Sequence, residues 1–301
     1  MNHTTETADP ESPETDTPDV PRTLGDLVSA YAAEQCTVII EAEGPLRAGE
    51  NVVHVTRVGV RRLRSTIRVF AELYDVPRAG NLEDELVWWA GLLGAVRDQD
   101  ILQAGLSERI AGLPPELILG PVESSIQAEL AVRRKVAADT VAEALDSDRY
   151  RKLVVLLQGW RNDPPMTNEA EVDAAEVTGY VKRAGKKAQK RLVRAVAAQK
   201  AGEDADELFH SARKAAKRHR YAVEAAAPMW GSKADKAIQR RKDLQDVLGG
   251  HQDRIVQRAF LRDLGARLGV RSGQNGFTYG VLYSQVVADG STLTKDLKKF
   301  L

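Results

Sequence analysis

The chain has 301 residues, 43% apolar and 5% aromatic, so it can bury a sizeable core and its Ala-, Leu- and Glu-rich composition favours helices over a β-rich fold. Its 43 basic and 43 acidic side chains cancel formally, but residues 1–21 hold six acids (Glu6, Asp9, Glu11, Glu14, Asp16, Asp19) and no Lys or Arg, leaving +6 for the remainder. No apolar run approaches the roughly 20 residues that span a bilayer, and the single cysteine, Cys36, excludes an internal disulfide and fits a reducing compartment.

Residues 1–22 have almost nothing to bury and read as a disordered acidic tail, either solubilising or competing with an anionic ligand for a basic face. The segment lacks the basic and apolar regions of a secretory signal, so the expected location is cytoplasmic. From Leu24 to about Glu43, Leu27, Tyr31 and Ile39 keep a helical period, with Cys36 as a buried thiol, until Gly44-Pro45 breaks it. A helix from about Glu50 to Tyr74 ends before Pro77, and Asn81 caps another that runs towards Leu106. Past Pro114-Pro115 a long helix is expected from Glu116 to Leu145, then a shorter one capped by Ser147 and reaching Trp160.

The stretch from Arg161 to Asn168, RNDPPMTN, is the clearest interior break. It divides a domain over 23–301 into halves of about 23–162 and 168–301. The second half opens with a helix from Glu169 to Lys200, followed by a helix after Gly202, one from Ser232 to Leu264, a loop around GVRSGQNG, and a last helix from Phe277.

Two eleven-residue segments share one pattern: HVTRVGVRRLR from His54 and HSARKAAKRHR from His210. At about 100° per residue, His54, Arg57, Arg61, Arg64 and Arg68 fall on one side of their helix. Val52, Val55, Gly59, Leu63, Thr66, Ile67, Phe70 and Tyr74 fall on the other, a stripe expected to face the core. His210, Arg213, Lys217 and Arg220 repeat the offsets, and Lys214 and Arg218 widen the face. A similar second motif follows each copy, WAGLLGAVRDQDIL from Trp89 and LQDVLGGHQDRIV from Leu244, which places Asp98 44 residues after His54 and Asp253 43 after His210. That agreement points to a duplicated helical unit.

On these motifs the chain resembles the CHAD family, the conserved histidine α-helical domain, from about Leu24 to the C-terminus. The resemblance implies an all-helical fold that binds inorganic polyphosphate, often near polyphosphate granules. The expected architecture is all-α: an elongated bundle of two tandem, pseudo-symmetric halves around a central basic surface.

The cations argue separately for an anionic ligand. Like charges at i, i+3 and i+4 repel, so helix faces that lack acids call for a counterion from elsewhere. Arginine forks grip phosphate oxygens in pairs, and Arg57 to Arg68 span about 16 Å, which suits a linear polyanion. The site is therefore assigned to His54, Arg57, Arg61, Arg62, Arg64 and Arg68, to His210, Arg213, Lys214, Lys217, Arg218 and Arg220, and to Lys182, Arg183, Lys186, Lys187, Lys190 and Arg194 on the Glu169–Lys200 helix. Both histidines would gain a raised pKa beside phosphate oxygens. Asp98 and Asp253 are read as helix-end caps rather than as groups that orient a facing cation. Arg97 and His251 are secondary candidates, His219 belongs to the core, and Glu224 stands where the first copy has Arg68, which shortens the second stripe.

Two other functions compete. An enzyme of phosphate metabolism would need a phosphate loop, metal-ligand spacing or the Glu-x-Glu-x-Lys strand of the triphosphate-cleaving domain often fused to the resembled family. Glu41-x-Glu43 is the nearest approach and lacks the lysine. General nucleic-acid binding would need aromatic or amide groups among the cations, and the first stripe has none. The reading is non-catalytic binding of inorganic polyphosphate, without cofactor or protein metal site. Its purpose would be granule targeting or regulation of polyphosphate metabolism, with polyphosphate-metabolising enzymes as candidate partners and nucleic acid as a weaker competitor.

Overall fold

The computed structural model describes residues 21–270, 275–290 and 292–301, so the acidic segment 1–20 and part of the 269–276 loop lie outside the described residues. Among the described residues the fold is all-α. The helices are α1 Leu24–Glu41, α2 Glu43–Arg47, α3 Val53–Val69, α4 Val76–Ala79, α5 Leu82–Ala111, α6 Val122–Leu145, α7 Asp148–Asn162, α8 Val177–Lys200, α9 Asp206–Ala225, α10 Ala227–Trp230, α11 Ser232–Gly269, α12 Phe277–Gly290 and α13 Leu293–Leu297.

Local chemistry explains several boundaries. Thr23 and Asp26 form a reciprocal capping box at α1, each side chain accepting from the other's backbone N–H at 3.0 Å. Ser147 caps α7 by accepting from the Tyr150 N–H. Asn81 stands at the α5 N-cap position but makes no side-chain cap bond. The helix expected from Glu169 begins only at Val177. Residues 168–176 form two short 3₁₀ turns because Leu24 N–H donates to Val172 O and Ala174 N–H to Arg22 O, tying the segment to the start of α1. The interior break also packs back on the first half, with Thr167 N–H donating to Leu73 O and Asp75 N–H to Pro165 O.

The buried side chains form three clusters. The largest joins α1, α3, the first half of α5, α7 and the ends of α6, α8 and α9, around Trp89, Tyr150 and Phe70. A second joins the last turns of α5 and α11 with α6 and α12, and a third joins α8, α9, Leu248 of α11 and α13. Residues from both sides of 161–168 thus share cores. The long helices α5 and α11 each serve more than one cluster, and the polar stretches between their apolar segments, Arg97–Ile101 and Gly249–Gln257, stay free to line a cavity.

The apolar face of α3 follows the expected stripe at Gly59, Leu63, Thr66, Phe70 and Tyr74 and departs from it at Val55. Val55 is 57% exposed, whereas Thr56 and Val60 are fully buried with Leu63 and Thr66. The cause is that α3 packs against α1, α5 and α9 at once, which widens the buried arc on the side of Thr56 and Val60. Thr56 is tolerated there because its hydroxyl donates to Val52 O at 2.9 Å.

Candidate polyanion site

Helices α3 and α9 lie against each other with their cationic faces converging. Arg57, Arg61, His210, Arg213, Lys217 and Tyr221 are common to two adjoining chambers. One, of about 440 Å³, adds Arg64, Arg68, Lys214 and Arg218 and has no acid in its lining. The other, of about 380 Å³, is closed by α5 and α11 and adds His54, Arg97 and Arg220 together with Asp98, Asp246 and Asp253. A smaller recess of about 230 Å³ continues from Arg68 and Arg218 to Arg183 and Lys187 on α8.

This crowding sets the electrostatics. Burial, followed by the guanidiniums of Arg213, Arg61, Arg57 and Arg220, pushes the Lys217 ammonium down to about 6. Burial also lowers Arg213, Arg218 and Arg64. His54, at the rim, is lowered by burial and by Arg97, Arg61 and Arg57, so without an anion its shift is opposite to that expected beside phosphate. Among the described residues no carboxylate lies within ion-pair distance of Arg61, Arg213, Lys214, Lys217 or Arg218. The Nε–H groups of Arg61, Arg64, Arg97, Arg213 and Arg220 are buried and have no acceptor. Buried donors without acceptors are rare in folded proteins, and here five converge on one cavity system.

Other cations are supplied with acids from neighbouring helices, which reading each helix by itself misses. Arg57 pairs with Asp98 at 2.9 Å, Arg68 and Arg64 with Glu83, and Arg183 with Glu72 at 3.2 Å. Asp98 and Asp253 sit in the middle of α5 and α11 and cap nothing. That corrects their expected role: Asp98 orients Arg57, and Asp253 faces Arg213 and Lys217.

The glycine of each second motif has a specific task. The Arg57 guanidinium lies on Gly94, where an added Cβ would come within 3.3 Å of Nη2, and the Arg213 guanidinium lies over Gly249, where an added Cβ would stand 3.7 Å from Nη2. In each case the following Leu-Gly helix lets an arginine from the facing motif helix lie flat against its backbone, while Leu93 and Leu248 hold that helix in the core.

Not every assigned residue reaches the chambers. Arg62 points elsewhere and pairs with Glu224 at 2.8 Å; Glu224 also accepts from Tyr31 at 3.1 Å and lies 3.6 Å from Arg220. Lys182, Lys186, Lys190 and Arg194 are exposed on α8 and line none of the three cavities. His219 lies away from the cavities, over Gly185 and against Arg241, and burial with that guanidinium takes it down to about 4. His210 donates through Nδ1 to Gln252 at 3.1 Å. His251 instead meets Asp206 at 3.1 Å. Gln245, Asp246 and Gln252, all within the motif that starts at Leu244, and Tyr221 also join the lining, although the sequence alone assigns none of them to the site.

Among the described residues no helix is long and apolar enough to cross a membrane. The chain is similar to the uncharacterized proteins MT2285 and Rv2226 of Mycobacterium tuberculosis strains CDC 1551 / Oshkosh and H37Rv, at 30% identity over 274 residues. The match takes in 89% of this chain but 51% of each relative, so the chain spans about half their length. Its fold is similar to that of PptA from Streptomyces chartreusis, with a TM-score of 0.73 at 20% identity over 93% of this chain and 99% of that one. The CHAD domain from the plant Ricinus communis is similar with a TM-score of 0.68 at 26% identity, over 93% of this chain and 92% of that one. The CHAD domain family model matches residues 30–262, well over half of the sequence, and the chain belongs to the CHAD domain family.

Proposed function

We propose that the chain binds inorganic polyphosphate between α3 and α9 without transforming it. The observation that carries this reading is the convergence of the buried, acceptor-less Nε–H groups of Arg61, Arg64 and Arg213 and a proton-poor lysine on a chamber with no acid in its lining. Such a cluster is destabilising until an anion enters, and a chain of closely spaced phosphates supplies acceptors along its whole length. The recess that runs on to Arg183 and Lys187 offers an exit for a polymer too long for the chamber.

The proposal is of binding rather than catalysis because the sequence carries neither a phosphate loop nor the Glu-x-Glu-x-Lys strand of the triphosphate-cleaving domain. Nucleic acid is the weaker competitor, since among the described residues Tyr221 is the one Phe, Trp or Tyr that lines the two main chambers and it is buried. Attachment to polyphosphate granules, or control of enzymes that work on the polymer, follows as the role of such binding in a cytoplasmic protein.

A competition titration at near-physiological salt tests the reading, with single- and double-stranded DNA matched to polyphosphate in phosphate concentration. Polyphosphate is expected to win by about tenfold, roughly 1.4 kcal/mol. Equal competition would reduce the site to a generic basic surface.

A further inference from the structure

The two main chambers differ in a way that bare polyphosphate does not explain. Beyond their shared cations, the larger adds only further cations and the neutral side chains of Ser65, Val87 and Ala90. The chamber closed by α5 and α11 adds three carboxylates, three glutamines and the apolar side chains of Ile101, Leu102 and Val256. Polyphosphate has only acceptors and negative charge, so the carboxylates oppose it.

The α11 side is rich in acceptors that have nothing to accept from. Asp98 is committed to Arg57. The carboxylates of Asp246 and Asp253 take no side-chain hydrogen bond among the described residues. Gln245 is only 9% exposed; its Nε2 donates to Ala216 O at 3.2 Å, and its Oε1 has no donor among the described residues. Asp246 and Asp253 lie seven residues, or two turns, apart on one face of α11 with Gln245 beside Asp246, and all three line the chamber together with Arg61, Arg213 and Lys217. A chamber of about 380 Å³ is of small-molecule size.

We propose that this chamber takes a small phosphate ester with free hydroxyl groups, its phosphates on the α3–α9 cations and its hydroxyls on Asp246, Asp253 and Gln245. The chemistry is that of a carboxylate holding sugar hydroxyls beside a phosphate site. Two sources share it, a nucleoside polyphosphate and a partly phosphorylated inositol. The inference rests on the phosphate-binding reading of the shared cations.

The test is calorimetric titration of the full chain with tripolyphosphate, adenosine triphosphate, its 2′,3′-dideoxy counterpart and inositol trisphosphate. Wild type would be compared with Asp246→Ala, an exposed position that should spare the fold, and with Asp246→Ala/Asp253→Ala. At least one hydroxyl-bearing ester is expected to bind about tenfold tighter than tripolyphosphate in wild type, as hydrogen bonds to charged acceptors allow. The ester that does so names the source. A nucleotide should also outbind its dideoxy counterpart. Both variants should erode the ester's advantage while strengthening tripolyphosphate. Tripolyphosphate binding at least as tightly as both esters, or an advantage that survives both variants, would overturn this inference and leave the phosphate reading standing. Absence of binding by all four ligands and by long polyphosphate would overturn both.

Discussion

Lys217 offers the sharpest test of the site's electrostatics. Its ammonium is pushed from an ordinary 10.5 down to about 6 by burial and by Arg213, Arg61, Arg57 and Arg220. Between those two values the unfolded chain holds a proton that the folded chain lacks, so folding becomes more favourable as pH rises through this window. The penalty is largest below about pH 6, where the folded protein must carry the charge. At about 1.4 kcal/mol per pH unit, it shrinks by about 2.5 kcal/mol between pH 6.5 and pH 8.5. Lys217→Met keeps the volume and removes the charge. Urea unfolding of both proteins across this range should show the variant to be the more stable, by a margin that narrows as pH rises. Taking the difference between the two cancels contributions from His54 and His219. Parallel stability curves would mean that Lys217 titrates normally and that the cluster is better solvated than the geometry states.

Further outcomes follow from particular contacts. Gly94→Ala should weaken polyphosphate binding by about threefold, because the new Cβ displaces Arg57, whereas Gly249→Ala has room and should gain about 0.5 kcal/mol of helix stability, read by titration and thermal melting. Glu83→Gln releases Arg64 and Arg68 and should tighten polyphosphate binding about twofold at low salt, an effect lost at high salt. Arg62→Ala leaves the largely buried Glu224 without its closest cation and should cost about 2 kcal/mol in chemical denaturation, while affinity stays within about twofold because Arg62 lines no chamber.

The sequence makes the helices and the shared cations legible, because the phase of His54, Arg57 and Arg61 against Leu63 repeats at His210, Arg213 and Lys217. It does not show what faces them. Glu83, Glu72 and Glu224 neutralise Arg68, Arg183 and Arg62 across helix contacts, and no periodicity within one helix reveals a partner 15 to 162 residues away. Reading Asp98 and Asp253 as caps conflicts with the expected helices themselves, which run from Asn81 towards Leu106 and from Ser232 to Leu264; what the sequence hides is that the polar stretches Arg97–Ile101 and Gly249–Gln257 face a cavity where the cores change over. A single apolar arc on α3 takes in Val55, but the helix has neighbours on three sides and Val55 faces none of its core contacts. The exposed lysines of α8 carry the same charge as the chamber arginines, and only geometry separates them.

That separation supplies the most direct test of where polyphosphate is held. The dissociation constant of medium-length polyphosphate would be measured near physiological salt for wild type, for Arg61→Ala/Lys217→Ala in the chamber, and for Lys186→Ala/Lys190→Ala on the outer face of α8. Each pair removes two basic side chains, and Lys217 holds little charge until an anion enters, so a generic charge effect would give the chamber pair no larger loss than the outer pair. The chamber pair is expected to weaken binding by more than about tenfold, or 1.4 kcal/mol, and the outer pair by less than about threefold. The reverse order, or equal losses, would contradict binding between α3 and α9.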